Sequence, residues 1–172
     1  LALEKNPLLV PSYVFFRRRL LTAFDHAQVA TVALEADGVR RVYKAVGRGY
    51  WQMLEPETRL LENDSTAFDV LVIKLSRLSC QLFYAEIRDD WAKFGLDPPR
   101  LRVVVTFRSA DGARGPGETA LSLDVGGPAS DMLRSLRTGP GKEPPVFARL
   151  AREPAVFLLD GEWVKSLTRD FR

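Results

Sequence analysis

Between Asn63 and Ile87 the chain reads NDSTAFDVLVIKLSRLSCQLFYAEI, the only long helical pattern in a sequence otherwise rich in short strands. Phe68, Leu71, Leu75, Leu78 and Leu82 recur at three- and four-residue steps with Val72 beside them. That period predicts a helix of about six turns over 63–87. Asn63, Asp64 and Ser65 offer side-chain oxygens to the orphan N–H groups of its first turn. The same three residues form a glycosylation sequon, for which capping is the simpler explanation. Burying the six apolar side chains contributes on the order of 10–15 kcal/mol gross. Val70, Ile73, Cys80 and Phe83 widen the apolar surface, so the helix is expected to be covered on more than one side. Its charges make it a poor membrane span.

Around this helix the pattern has period two. Val29 to Leu34 is a first strand, and Asp37-Gly38 supplies a hairpin turn. Val39 to Val46 comes next, then a Gly47-Arg48-Gly49 turn and a third strand from Tyr50 to Leu54, stopped near Pro56. After the helix, Asp89 or Asp90 can cap a short turn through Trp91, Ala92 and Phe94 that ends at Gly95. Leu101, Val103, Val105 and Phe107 alternate with Arg102, Val104 and Thr106 in the clearest strand of the chain. Further strands are predicted over Thr119 to Val125, Val146 to Ala151 and Ala155 to Leu159. Asp160-Gly161-Glu162 opens a final amphipathic helix with Trp163, Val164 and Leu167. The fold class is therefore α+β, with antiparallel β-meanders packed on one long central helix (about 63–87) and a C-terminal helix. Residues 24–172 read as one domain, with 1–23 as an N-terminal segment.

Chemistry is harder to find. A single histidine and a single cysteine leave no CxxC, HExxH or His cluster, which argues against zinc and iron–sulfur sites. Cys80 reads as a buried thiol. No GxSxG elbow exists, and His26, beside Asp25, is the only imidazole; a surface or capping role suits it better than catalysis. Gly139-Pro140-Gly141-Lys142 resembles a phosphate loop, but Leu136 and Glu143 stand where that motif needs glycine and serine or threonine. No catalytic, cofactor-binding or metal-binding residue is assigned. A formal charge of +3 over 172 residues and the lack of an RNP-like motif speak against nucleic acid. Arg17, Arg18 and Arg19 form a basic cluster among aromatic and aliphatic neighbours. It reads either as an anion-binding patch or as wet arginines above packed aromatics. Arg134, Arg137 and Lys142 sit in a Gly/Pro-rich stretch. These six are the candidate partner contacts. Trp51, Trp91 and Trp163 could stack on sugar rings near Asp89 and Asp90, although each also has a core explanation.

Several stretches taken in order resemble one family. They are VATVAL at 29–34, WQMLEP at 51–56, the helix, FGLDPP at 94–99 leading into LRVVVTF, LDVG at 123–126, VFARL at 146–150 and AVFLLDGEWVKSL at 155–167. Together they resemble the bacterial domain of unknown function 4340, over roughly Phe24 to Arg172. The stretch 127–145 is longer than the corresponding link in that family. The resemblance implies an extracytoplasmic binding or scaffold module of a membrane-anchored parent, auxiliary to an ABC transport system, some members being linked to gliding motility. It implies tandem copies, and the 1–23 segment resembles the tail of a preceding one. It implies no catalytic residue and no cofactor. The expected partner is a protein, either a transporter subunit or a neighbouring copy, and this fragment does not itself enter the membrane. The alternative is a ligand-binding or hydrolytic domain acting on a carbohydrate or other envelope polymer.

Overall fold

A computed structural model describes residues 20–47, 49–55, 57–58, 62–86, 90–108, 121–129, 143–151 and 153–169. Among these residues nine strands form one antiparallel sheet in the order β4-β3-β2-β1-β6-β7-β8-β9-β5. They are β1 (Val29–Ala36), β2 (Val39–Gly47), β3 (Tyr50–Glu55), β4 (Glu57–Thr58), β5 (Leu82–Glu86), β6 (Leu101–Phe107), β7 (Leu121–Pro128), β8 (Val146–Leu150) and β9 (Ala155–Leu159). Two α-helices accompany them among the described residues, α1 (Glu62–Ser76) and α2 (Gly161–Arg169). The class is α+β with antiparallel pairing throughout, as the alternation predicts.

The predicted hairpin is present. Asp37 at φ 52° and Gly38 at φ 75° make the left-handed turn that reverses β1 into β2, where glycine carries no Cβ penalty. Val32 and Leu34 in β1, Tyr43 in β2 and Leu101, Val103 and Val105 in β6 are buried on the inner face. There they join Phe68, Leu71, Val72 and Leu75 of α1 and Leu167 of α2 in one apolar cluster. On the outer face a smaller cluster gathers Phe94, Leu96, Ala129, Phe147, Val156 and Leu158. All five residues of β9 are therefore buried, alternately into the two clusters, and AVFLL is a continuous apolar run because both of its faces are covered. The 90–99 segment lies directly on β7: a Cβ on Gly126 would stand 2.1 Å from the Phe94 carbonyl oxygen. That segment carries the expected short turn, Ala92–Phe94 ending at Gly95, and a cis Asp97–Pro98 bond. Asp90 does not cap it; the residue pairs with Lys93 at 3.0 Å, and the turn has no side-chain cap.

The central helix is shorter than its period predicts. It has 15 residues and ends at Ser76, after which the chain turns into β5. Two contacts from distant sequence stop it. Thr22 Oγ1 donates to the Leu75 carbonyl at 2.5 Å and accepts from the Leu78 N–H at 2.9 Å, capturing groups that a continuing helix would have used internally. The N–H groups of Leu21 and Phe24 bind the carbonyls of Leu78 and Ser76. Leu82 to Glu86 then finds a strand partner in β9. Cys80 and Phe83 are buried as expected, but outside the helix. Val70 and Ile73 are 47% and 40% exposed, so the expectation of a helix covered on its second apolar side does not hold. Capping by Ser65 is likewise overturned: it lies inside the helix, with its hydroxyl committed to β3. The side chains of Asn63 and Asp64 fall outside the described residues.

At the C-terminal end the expected cap and amphipathic helix are present. Asp160 Oδ1 accepts from the Trp163 N–H at 3.1 Å, capping α2, while Trp163 and Val164 pack on the inner cluster. The sequence pattern gives no signal for β4, and β7 runs on to Pro128, beyond its predicted end.

Candidate functional site

A large concavity opens at one end of the sheet, where the start of β1, the end of β2, the start of β3 and the residue after β6 meet the flank of α1. It is a cleft of ≈ 720 Å³ lined by residues that include Val29, Ala45, Val46 and Trp51 on the apolar side and His26, Asp69 and Arg108 on the polar side. This volume falls in the range of small-molecule and cofactor sites.

Its floor is held from α1. The Ser65 hydroxyl accepts from the Trp51 backbone N–H at 2.8 Å and donates to the Gly49 carbonyl at 3.1 Å, satisfying two groups of β3 and its turn. One turn further on, Asp69 Oδ1 accepts from Trp51 Nε1 at 3.2 Å. Phe68, between them in sequence, meets the Trp51 ring edge-on at 4.9 Å and stacks on Tyr43 at 4.2 Å. Burial pushes the Tyr43 phenol above its ordinary range, with Arg41 acting weakly in the opposite direction. Three inward contacts of one helix thus fix both the ring and the carboxylate, the kind of support that keeps a site in register.

His26 enters the cleft from a single 3₁₀ turn (His26–Gln28) that Asp25 caps, its Oδ1 accepting from the Ala27 N–H at 2.9 Å. The capping role therefore belongs to Asp25, and the imidazole is 3.9 Å from that carboxylate. Arg108 is placed by the hydrogen bond from its N–H to the Gln28 carbonyl at 2.8 Å, which ties the end of β6 to the same turn.

A second set of charges crosses the outer face of the sheet. The strand register sets Arg40 opposite Glu35, Glu35 opposite Arg102, Arg102 opposite Asp124 and Asp124 opposite Arg149. Asp124 has 2% of its side chain exposed and receives Arg102 Nε at 2.7 Å and Arg149 at 2.9 Å. The hydrogen bond to Asp124 raises the Arg102 guanidinium above its ordinary value. Arg149 lies 4.5 Å over the Trp91 ring, joining this row to the 90–99 segment. A smaller groove of ≈ 430 Å³ separates the end of α1 from the start of α2, between Ile73, Lys74, Arg77 and Trp163.

Arg17, Arg18, Arg19, Arg134, Arg137 and Lys142, the basic positions singled out in the sequence, lie outside the described residues, as does Asp89. Of the three tryptophans, Trp51 is 6% exposed, Trp163 is partly buried against the inner cluster and Trp91 is partly buried beneath Arg149. In the sequence Asp69 is simply one of the charges carried by the 63–87 stretch. No local signal joins it to Trp51, because their contact exists only once α1 has docked on β3. Among the described residues no three His, Cys, Asp or Glu side chains are grouped to hold a metal, and no helix is long and apolar enough to cross a membrane. Comparison with family models, curated proteins and solved structures finds no match to this chain.

Proposed function

We propose that this chain is a non-enzymatic binding module of a membrane-anchored bacterial envelope protein, and that the cleft over Trp51 is its working surface. One observation carries the choice of surface. Trp51 is locked by Ser65, Phe68 and Asp69 beneath an opening of ≈ 720 Å³. A rigid floor with polar groups at its edge suits recognition, since little side-chain freedom is lost on binding. The exposed Val46 and Tyr50, each 56% accessible, continue the apolar surface outward from this opening and favour a macromolecular partner. The resemblance to the domain of unknown function 4340 supports the envelope setting and a partner such as a transporter subunit or a neighbouring copy of the domain. On that view the basic positions Arg17–Arg19, Arg134, Arg137 and Lys142 serve as additional contacts.

In-cell photocrosslinking tests this directly. A photoreactive residue at Val46 or Tyr50 is expected to trap a discrete protein adduct, and one at Asp37, at the opposite end of β1, is not. Equal trapping at Asp37 and Val46 would remove the cleft from consideration. Hydrolysis of an envelope polymer by the purified chain would replace the binding module with the enzymatic alternative.

A further inference from the structure

Asp69 and Arg108 line the same cleft with opposite charge, yet among the described residues neither takes part in an ion pair. The carboxylate is held in place by the indole: Oδ1 is used by Trp51 Nε1, while Oδ2 stands on the Gly49 side, 3.7 Å from where a Cβ on that lining residue would sit. Arg108 is tied through its backbone N–H to the turn that carries His26. A negative and a positive group thus line one opening from different elements, α1 and the end of β6, with the apolar Ala45, Val46 and Trp51 beside them.

Resting on the binding-module reading above, we infer that the cleft accepts an extended protein segment bearing both charges around an apolar side chain. A basic residue meets Asp69, an acidic residue meets Arg108 with His26 beside it, and the apolar side chain lies against Trp51 and Val46. A segment of one sign fits poorly. An all-acidic stretch brings its second carboxylate to Asp69, and an all-basic one brings a cation to Arg108; like charges brought together at an interface are a strong source of discrimination. A mixed segment instead completes two charge-assisted contacts, and Arg108 can take a carboxylate through two parallel N–H groups.

The test uses the full-length protein in cells with the photoreactive residue at Val46, combined with Asp69→Asn or Arg108→Gln. Asparagine keeps an acceptor for the Trp51 indole, so the floor survives, and unchanged thermal melting of each purified variant checks that. Each substitution is expected to lower the adduct yield about tenfold, the loss typical of one charge-assisted contact. The trapped segment, located by mass spectrometry, is expected to carry an acidic and a basic side chain on either side of the crosslinked position. If the adduct persists at full yield in both variants, or the trapped segment is of one charge sign, the two-charge assignment fails while the binding module stands. If Val46 traps nothing beyond the Asp37 control, both fail.

Discussion

Asp124 and Asp69 are both carboxylates fixed by neighbours on this sheet, yet they are built into opposite situations. Asp124 is sealed, with a guanidinium on each side from the strands flanking β7, and each lies within hydrogen-bonding distance. Asp69 is held at one oxygen by an indole N–H, and the cleft it lines also holds an arginine it does not reach. Burial without a partner is what makes a charge costly, so the sealed site has to be complete within the fold and the open one does not. The first arrangement ties β6, β7 and β8 together through one carboxylate, and in the proposed function the second is where another molecule pairs. Charge alone does not distinguish the two carboxylates; completeness of pairing within the fold does.

Four measurements press on that contrast. Placing a carboxylate inside the apolar cluster is its extreme form: Leu75→Asp, at a position with 0% exposure, is expected to abolish folding, read as complete sensitivity to limited proteolysis. A folded, protease-resistant variant would mean that the inner cluster is assigned wrongly. Next, Asp124→Ala leaves Arg102 and Arg149 facing each other and is expected to cost about 3 kcal/mol in urea unfolding. A loss below about 1 kcal/mol would place the row among surface pairs that contribute little.

Tyr43 supplies a pH-dependent case within the same core. Burial raises its folded-state pKa above the unfolded value, so its contribution is fully present below about pH 10 and is lost as pH climbs further. Wild type is therefore expected to lose stability above about pH 10 more steeply than Tyr43→Phe. Parallel slopes in urea titrations across that range would show that this phenol is not the cause. The smallest effect belongs to the open cleft, where Asp69→Asn and Arg108→Gln are each expected to change stability by less than about 0.5 kcal/mol while weakening partner capture. A larger loss from either would move it into the structural group with Asp124.

Much of the fold could be read locally. Asp37-Gly38 announces its own hairpin, and Leu101 to Phe107 alternates so regularly that its inner face needs no further information. The stretch after Ser76 could not be read this way, because Leu78 and Leu82 keep the helical period while Leu82, Phe83 and Tyr84 also suit a strand. Thr22 and β9 decide between the two, and both lie far away in sequence. The cleft is hidden for the same reason. Trp51 and His26 each attract notice as single residues, but only the β1–β6 pairing and the seating of α1 on β3 bring them to one opening with Asp69 and Arg108.

The position of β5 has a consequence for how the chain is made. It leaves the ribosome well before β9, its partner strand in the sheet, yet it carries Leu82, Phe83 and Tyr84 in succession. Until synthesis reaches Ala155–Leu159 this apolar run has no edge to join, although it sits directly behind a segment that is helical in the finished fold. The outermost strand on this side must therefore wait, unpaired, while β6, β7, β8 and β9 are made. Pulse-labelled hydrogen exchange on stalled nascent chains should find its amides unprotected until β9 has emerged. Truncation before Ala155 accordingly turns a docked strand into a sticky one, and is a shortening this chain should tolerate badly.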